Sequence, residues 1–403
     1  MIKRGGLIVV GVMCFSTVFA QTSKELRPLN EFSFSLFGEL RKGNQNVFFS
    51  PLSAYLSLGV LSEGAAGTNK AQIDSVLGLG KKIGIYQVRS GIDEMMSHYV
   101  GNGKIQLANG CWVDQSIVLK KDFLKAFLNQ PLSSIETVDM SDPASVVESV
   151  NAWADNVTKG TIPNLISANA IAPQTKMLLC NSLYMNLPWE RGFKPRSTYV
   201  HEFTDANKMK SNLKFMYKMG YMEYAYEKKC HLVVRALGDG DQVFCIVIPK
   251  EGYSLDEVEG QFTSKKLSQM LRRTYDQRVR LSLPKFTMEG EYDFKQPLKN
   301  MGLKEMFTNA PDFSMMTDDN LMVDAISQKV KIDVNEKRIV AAAVTVIRGD
   351  TGSAAGMPDP DIPVDFVADR PFLFFIIDKS TKGIYFMGRY TVPNEKDIVM
   401  NEE

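Results

Sequence analysis

Side chains that could carry out catalytic chemistry are few and scattered in this sequence. Three histidines occur among 403 residues, at His98, His201 and His231. His201 opens the segment HEFTD, which lacks the second histidine of a zinc-protease helix. The chain has no GxSxG nucleophile elbow, no GxxxxGK[ST] phosphate loop and no dinucleotide-type glycine fingerprint. A dispersed triad is the less favoured alternative, so we predict a protein that is not an enzyme and holds no metal or cofactor.

The charge balance excludes one further class of function. The chain carries 47 Lys and Arg against 46 Asp and Glu, for a net charge of +1. A protein held on nucleic acid by phosphate contacts needs a strong basic field, which this balance does not provide. Hydrophobic residues make up 44% and charged residues 23%, as in ordinary globular domains.

The first twenty residues have the pattern of a signal peptide. Lys3 and Arg4 precede an uncharged apolar run over 6–19, and small residues near Ala20 suit a cleavage site. No later stretch approaches the ~20 apolar residues that a membrane-spanning helix needs. We therefore expect 1–20 to be removed and the mature protein, from 21 onward, to be secreted or periplasmic without a membrane span.

Export permits disulfides, so the cysteines matter. After loss of the signal peptide, Cys111, Cys180, Cys230 and Cys245 remain, and four cysteines can pair in three ways. Each lies in an apolar segment, which favours buried free thiols. The pattern does not decide the disulfide state.

The periodicity of apolar residues predicts a mixed α and β architecture with mainly antiparallel strands. Apolar residues at helical spacing predict helices over 32–40 and over 143–157, the second capped by Asp142. Continuous or alternating apolar runs predict strands, and no spacer divides the chain between 25 and 345. The predicted strands lie at 243–248, 279–283 and 330–334, with a C-terminal hairpin at 371–378 and 384–388.

One segment departs from this pattern. Ala341, Ala342 and Ala343 are followed by VTVI at 344–347, and then by the Gly- and Pro-rich run GDTGSAAGMPDPD at 349–361. Such a composition is typical of an exposed loop. A strand-like segment that leads into a long exposed loop is unusual, because it leaves strand edges open to solvent.

A series of ordered motifs connects these segments to a known family. In chain order they are NVFFSPLS at 46–53, N-x-W at 151–153, T-x-G-x-I at 158–162, Asn181, Trp189, LPKF at 283–286, YD at 292–293, DVNE at 333–336, AAA at 341–343, DRPF at 369–372 and MGR at 387–389. The chain resembles the serpins over roughly 25–394, and specifically a bacterial-type exported member.

The resemblance implies one α+β serpin domain over 21–403, with three mainly antiparallel sheets, about nine helices and a reactive loop over about 337–363. It further implies a monomer whose partners are serine or cysteine proteases. Such a protease cleaves the loop and is trapped as an acyl-enzyme while the cut loop inserts into the central sheet.

The resemblance also assigns roles to individual residues. Ser50, Ser53, Asn181 and Gln328 match the hydrogen-bonded cluster beneath the strands that must part, with Gln328 standing where the family often has histidine. Plain helix capping by the two serines is compatible with that role.

Three further residues match the support at the top of the loop. Lys285 and Glu336 match a pair that holds the top of the loop, and Trp189 matches a plug at the top of the sheet, with ordinary core packing as its alternative.

The hinge departs from the inhibitory pattern. It comprises Glu336, Lys337, Arg338, Ile339, Val340, Ala341, Ala342, Ala343, Val344 and Thr345. Inhibitory members usually carry Gly, then Thr or Ser, then often Glu, where this chain has Arg338, Ile339 and Val340. Loss of the glycine reduces backbone freedom, and the bulk of Ile339 would slow insertion. A non-inhibitory serpin, acting as a protease substrate, a binding module or a structural protein, is therefore the alternative function.

Two bonds are candidates for cleavage. Counting seventeen residues from Glu336 places the reactive bond at Gly352–Ser353 and suits an elastase-like protease. Arg348 is the only basic residue of the loop beyond the hinge, and cleavage between Arg348 and Gly349 suits a trypsin-like protease. The two alternatives rank equally.

Overall fold

The computed structural model describes residues 24–80, 82–97, 105–128, 133–172, 174–323, 326–339 and 359–400. Within these ranges the chain forms nine α-helices and sixteen β-strands. Helices α1 to α9 span Arg27–Leu40, Pro51–Gly64, Gly67–Val76, Ile85–Ser97, Lys121–Leu128, Pro143–Val157, Leu255–Glu259, Ser264–Arg272 and Lys295–Asn300. Strands β1 to β16 span Val47–Phe49, Ile105–Asp114, Ser133–Val138, Met177–Met185, Leu187–Pro188, Tyr199–Thr204, Lys210–Tyr226, Cys230–Leu237, Gln242–Pro249, Tyr275–Pro284, Phe286–Asp293, Ser327–Val334, Arg338–Ile339, Val364–Val367, Phe372–Asp378 and Ile384–Tyr390.

The largest sheet contains nine strands in the order β1-β16-β15-β9-β8-β7-β10-β14, with β6 paired to β7. Its neighbouring strands run antiparallel, apart from the parallel pair β10 and β14. Every residue of β9 and β15 is buried, as the continuous apolar runs in both strands require. The predicted C-terminal hairpin is present as β15 and β16, and the α+β fold class is confirmed.

A second layer consists of two separate small sheets. One has the order β3-β2-β4, and the other pairs β11 with β12. Strand β12 lies beside β4, yet no backbone ladder joins these two strands within the described ranges. The layer is therefore divided along the line between β4 and β12.

Helix α6 covers the β3-β2-β4 ladder and forms a small core that is separate from the main one. The buried side chains of this core include Trp112, Val150 and Leu178. The indole Nε1 of Trp112 donates to Ser149 Oγ at 2.8 Å, which ties the sheet to the helix. The helix begins as predicted, with the side chain of Asp142 accepting a hydrogen bond from Ser145 N.

Replacing Asp142 with alanine is expected to lower the free energy of unfolding by about 1 kcal/mol, because the substitution removes the acceptor for an N-terminal helix N–H. Thermal unfolding of the purified protein measures this loss. Asp142→Ser keeps an oxygen acceptor and is the matched control. An Asp142→Ser variant as unstable as Asp142→Ala would contradict the capping role.

Cys111, Cys180, Cys230 and Cys245 are buried and free. Burial raises the pKa of each thiol, to about 11 for Cys230. This agrees with the free thiols favoured by the apolar context of each cysteine. No described helix is long and apolar enough to cross a membrane.

Candidate functional site

The structure places the predicted site residues in two groups along the divide between β4 and β12. One group surrounds the start of α2, and the other lies where the chain leaves β12. The remaining hinge residues 340–345 and both candidate bonds, at 348–349 and 352–353, lie outside the described residues. Their assignments stay predictions.

In the first group, Gln328 of β12 binds the backbone of Ser50 through both ends of its amide. Ser50 N donates to Gln328 Oε1 at 2.8 Å, and Gln328 Nε2 donates to Ser50 O at 2.9 Å. Both residues are buried, with Ser50 at 0% and Gln328 at 4% exposure. The amide of Gln328 supplies one donor and one acceptor to the backbone of Ser50.

Ser50 also caps α2, whereas its role beneath the strands that must part stays a prediction. Its Oγ accepts from Ser53 N at 3.2 Å and donates to Tyr385 O at 2.9 Å. Ser53 is buried in the first turn of the helix. The backbone of Asn181 lies in β4 opposite Asn109 of β2.

Tyr292 is a member of this group whose role the sequence did not identify. Its hydroxyl accepts a hydrogen bond from Phe48 N at 3.0 Å, across from β11 to β1. The YD motif at 292–293 was visible in the sequence, but nothing in the motif indicates the partner.

The second group is built around Trp189. Its side chain is 2% exposed, and the edges of Phe193 and Phe244 meet it at centroid distances of 5.2 and 5.5 Å. Its Nε1 donates to Asn335 O at 2.8 Å, directly after the end of β12. Trp189 is therefore both part of the buried core and a hydrogen-bond donor to the backbone where the chain leaves β12.

Glu336 is held on three sides. Lys285 Nζ lies 2.9 Å from Oε2, and Thr198 Oγ1 donates to Oε1 at 2.8 Å. The backbone carbonyl of Glu336 accepts from Phe193 N at 3.0 Å. Burial alone would raise the pKa of Glu336, but the hydrogen bonds from Lys285, from backbone and from Thr198 outweigh it and lower the pKa. The sequence predicted the lysine partner but not Thr198.

Replacing Glu336 with glutamine is expected to lower the free energy of unfolding by about 1 kcal/mol at neutral pH, because a charge-assisted bond is lost. Because the pKa of Glu336 is lowered in the folded state, its carboxylate stabilises the protein at pH values above the ordinary carboxyl pKa of about 4.3. This contribution disappears as the pH falls through the lower folded-state value, so the difference between variant and parent should vanish in acid. Urea unfolding at neutral and acidic pH measures both effects.

Glu291→Gln is the matched control, since Glu291 also pairs with a lysine, at 3.6 Å, but is 74% exposed. It should change the stability by less than about 0.5 kcal/mol. An equal loss in both variants, or a pH-independent loss in Glu336→Gln, would contradict the assigned ion pair.

After Glu336 the chain turns back and pairs with the segment that follows β4. Strand β13 runs antiparallel to β5, with Arg338 opposite Pro188 and Ile339 opposite Leu187. Arg338 and Ile339, two of the three unusual hinge positions, therefore have strand backbone beside β5, at the end of the divide where β4 and β12 terminate. The sequence predicted strand propensity only from 344 onward.

Two of the three histidines, His201 and His231, lie within the described residues. His231 contacts the hydroxyl of Tyr224 through Nδ1, and burial, with the charges of Lys250 and Arg370, lowers the pKa of His231 to about 4. His201 lies 3.9 Å from a carboxylate oxygen of Asp369. His98 lies outside the described residues.

Comparisons with known proteins are consistent with this arrangement. The family model described as "Serpin (serine protease inhibitor)" matches residues 27–393. Human Serpin I2 is 28% identical, over 91% of this chain and 91% of that protein. The leukocyte elastase inhibitor of Xenopus tropicalis is 29% identical, over 90% of this chain and 97% of that protein. An uncharacterized serpin-like protein of Thermococcus kodakarensis is also 29% identical, over 93% of this chain and 87% of that protein.

Two solved structures show the same fold. The thermophilic serpin tengpin in its native state superposes with a TM-score of 0.79 at 25% identity, over 97% of each chain. Human thyroxine-binding globulin complexed with thyroxine superposes with a TM-score of 0.81 at 24% identity, over 93% of this chain and 100% of that one.

Proposed function

This chain belongs to the serpin family, and we propose that it is an exported inhibitor that traps serine or cysteine endopeptidases on its own cleaved reactive loop. The protease nucleophile attacks the scissile carbonyl, forming an acyl bond and releasing the new N-terminal amine, which takes the proton. The freed hinge side of the loop then enters the divide as a new strand before water hydrolyses the acyl bond. The inhibitor thus consumes itself while it inactivates one protease.

The observation that carries this proposal is the divided layer with the hinge at its upper end. Strands β4 and β12 lie side by side without a ladder in the described ranges, and β13 already pairs with β5. An inserting loop that continues β13 would find backbone donors and acceptors on both sides. Ala341 to Ala343, which follow, are small enough to enter such a gap.

The energetic reason for trapping is the backbone pairing gained on insertion. About ten inserted residues form ten to twenty ladder bonds, each with a net ~0.5–1.5 kcal/mol. Buried apolar area adds to this, for a total on the order of 10 kcal/mol. That release is comparable to the stability of a whole domain and suffices to distort a trapped enzyme.

A non-inhibitory serpin is the second candidate, and the hinge composition favours it. Arg338, Ile339 and Val340 stand where inhibitory members usually carry Gly, then Thr or Ser, then often Glu, and slow insertion gives water time to hydrolyse the acyl bond. A substrate of proteases would result. The pairing of Ile339 with Leu187 supports the inhibitory function. The backbone of this bulky residue is already in a strand in the uncleaved protein, so insertion does not have to begin there.

The finer features of the proposal rest on the sequence. The signal-like segment at 1–20 supports export to the periplasm or the exterior, and the resemblance supports a monomer of the bacterial type. The reactive bond is Gly352–Ser353 or Arg348–Gly349.

The test is a denaturing gel after mixing the mature protein with a trypsin-like and with an elastase-like protease. A detergent-stable band near the summed mass of both proteins would support covalent trapping. Sequencing the released peptide assigns the cleaved bond. Complete loop cleavage without such a band, across several proteases, would overturn the inhibitory proposal in favour of the substrate function.

A further inference from the structure

A buried arginine lies beneath the loop that follows β5. Arg235 of β8 is 7% exposed, and its Nη2 donates to Arg191 O at 2.8 Å. Its Nε is buried and has no hydrogen-bond partner. No carboxylate of the described residues comes within 4.0 Å of the guanidinium, although Glu190 acts on it from farther away. A buried guanidinium without an ion-pair partner is costly to the fold.

A second cation points to the same loop. Lys218 of β7 donates from Nζ to Gly192 O at 3.0 Å, so the two positive groups bind consecutive carbonyls. Burial, followed by the charges of Arg235 and Arg191, lowers the pKa of Lys218 to about 8. Lys194 lowers it further, and Glu190 only partly opposes these effects.

Another buried arginine of the fold has the carboxylate partner that Arg235 lacks. Arg389, for comparison, is 2% exposed but lies 3.1 Å from the carboxylate of Glu259, which also binds Arg41 at 3.0 Å. The described residues thus pair one deeply buried arginine with an anion and leave Arg235 without one. An added negative charge beside Arg235 and Lys218 would supply the missing partner.

We propose that Arg235 and Lys218, with Arg191 and Lys194 at the rim, form a binding site for a small doubly charged oxyanion, a phosphate or a sulfate group. Guanidinium and ammonium groups that converge from two strands match the several oxygens of such an ion. Neither the net charge of +1 nor the sequence motifs indicate this site, because its cations come from β7, β8 and the loop after β5.

The site adjoins the hinge. The loop whose carbonyls bind Arg235 and Lys218 also donates Phe193 N to Glu336 O. If the proposed inhibitory function holds, an occupied site steadies the top of the hinge. Binding itself does not depend on that function, so its test needs no protease.

The experiment is thermal unfolding of the uncleaved protein at neutral pH in inorganic phosphate, in sulfate and in chloride of matched ionic strength. We expect a saturable rise in Tm of roughly 2 °C with phosphate or sulfate at tenfold excess over Kd. Chloride should not reproduce this rise. Equal behaviour in all three salts would overturn the proposal.

Two substitutions make the test specific. Lys218→Gln should abolish most of the phosphate-dependent rise. Lys210 lies on the same strand, and its ammonium pairs with Glu202 at 2.8 Å. Lys210→Gln is the matched control and should retain the phosphate-dependent rise in Tm. A rise that survives in Lys218→Gln, or is lost equally in both variants, would contradict the site.

Arg235→Leu separates the two roles of the arginine. The variant removes an uncompensated buried charge, so we expect its Tm in chloride to equal or exceed that of the parent and its response to phosphate to be lost. A phosphate-dependent rise in Tm that persists in Arg235→Leu would overturn the proposal. The same unfolding measurement in glycerol phosphate distinguishes a phosphate monoester from the free ion as the ligand. Tighter binding of glycerol phosphate than of inorganic phosphate indicates a monoester, and weaker binding indicates the free ion.

Discussion

Replacing Ala341 with arginine is expected to reduce covalent trapping by at least about 100-fold while loop cleavage continues. Ala341 lies outside the described residues. Side chains alternate along a strand, so in an inserted strand residues 339 and 341 would share one face, which we expect to be the buried one. An arginine there must be buried without an ion-pair partner during insertion, at a cost of several kcal/mol. Each 1.4 kcal/mol slows that step tenfold, so hydrolysis of the acyl bond overtakes insertion.

Ala342→Arg is the matched control, because the neighbouring side chain of a strand points to the opposite face. This variant should trap nearly as well as the parent. The ratio of trapped to cleaved inhibitor on a denaturing gel measures both variants against one protease. Unchanged trapping in Ala341→Arg, or equal loss in both variants, would contradict insertion as a strand.

Replacing Gln328 with leucine is expected to lower the free energy of unfolding by about 3 kcal/mol, because the amide satisfies both backbone groups of Ser50. Leucine leaves a buried N–H and a buried carbonyl without partners, and each costs ~1–3 kcal/mol. The same loss weakens the connection between β12 and the start of α2. Urea unfolding followed by tryptophan fluorescence measures the change.

Two further variants test the cause of that loss. Ser327→Ala, at an exposed neighbour on the same strand, should stay within about 0.5 kcal/mol of the parent. Gln328→Glu keeps the shape and the acceptor but loses the donor to Ser50 O, so it should also be destabilised at neutral pH. A Gln328→Leu variant as stable as the parent would show that water or rearrangement replaces both bonds.

Much of the fold follows from local patterns in the chain. The apolar run at 243–248 predicted a strand buried on both faces, and all of β9 is buried. The alternation at 330–334 predicted β12, whose even-numbered residues face inward. Asp142 and Pro143 predicted the start of α6 to the residue. These signals are local, so the sequence suffices to identify them.

The contacts that make up the site are not local. Gln328 and Ser50 are 278 residues apart, and an amide in a strand does not indicate which backbone it will bind. The contact between Thr198 and Glu336 and the cations around Arg191 likewise arise only when distant strands meet. The resemblance to the family grouped Ser50 with Gln328 and Glu336 with Lys285, whereas the structure gives the atoms that bond and adds Thr198 as a further partner of Glu336.

The order of strands in the large sheet has a consequence for biosynthesis. Strand β15 lies between β9 and β16, and β1, near the N-terminus, pairs only with β16 within the described ranges. During translation β9 therefore leaves the ribosome about 120 residues before its neighbour β15, or roughly 6–25 s at ordinary elongation rates. For that time β9 is paired with β8 along one edge only, and its other edge has no partner strand. Completion of the C-terminal hairpin, rather than any earlier element, therefore sets the moment at which the nascent chain can close its core.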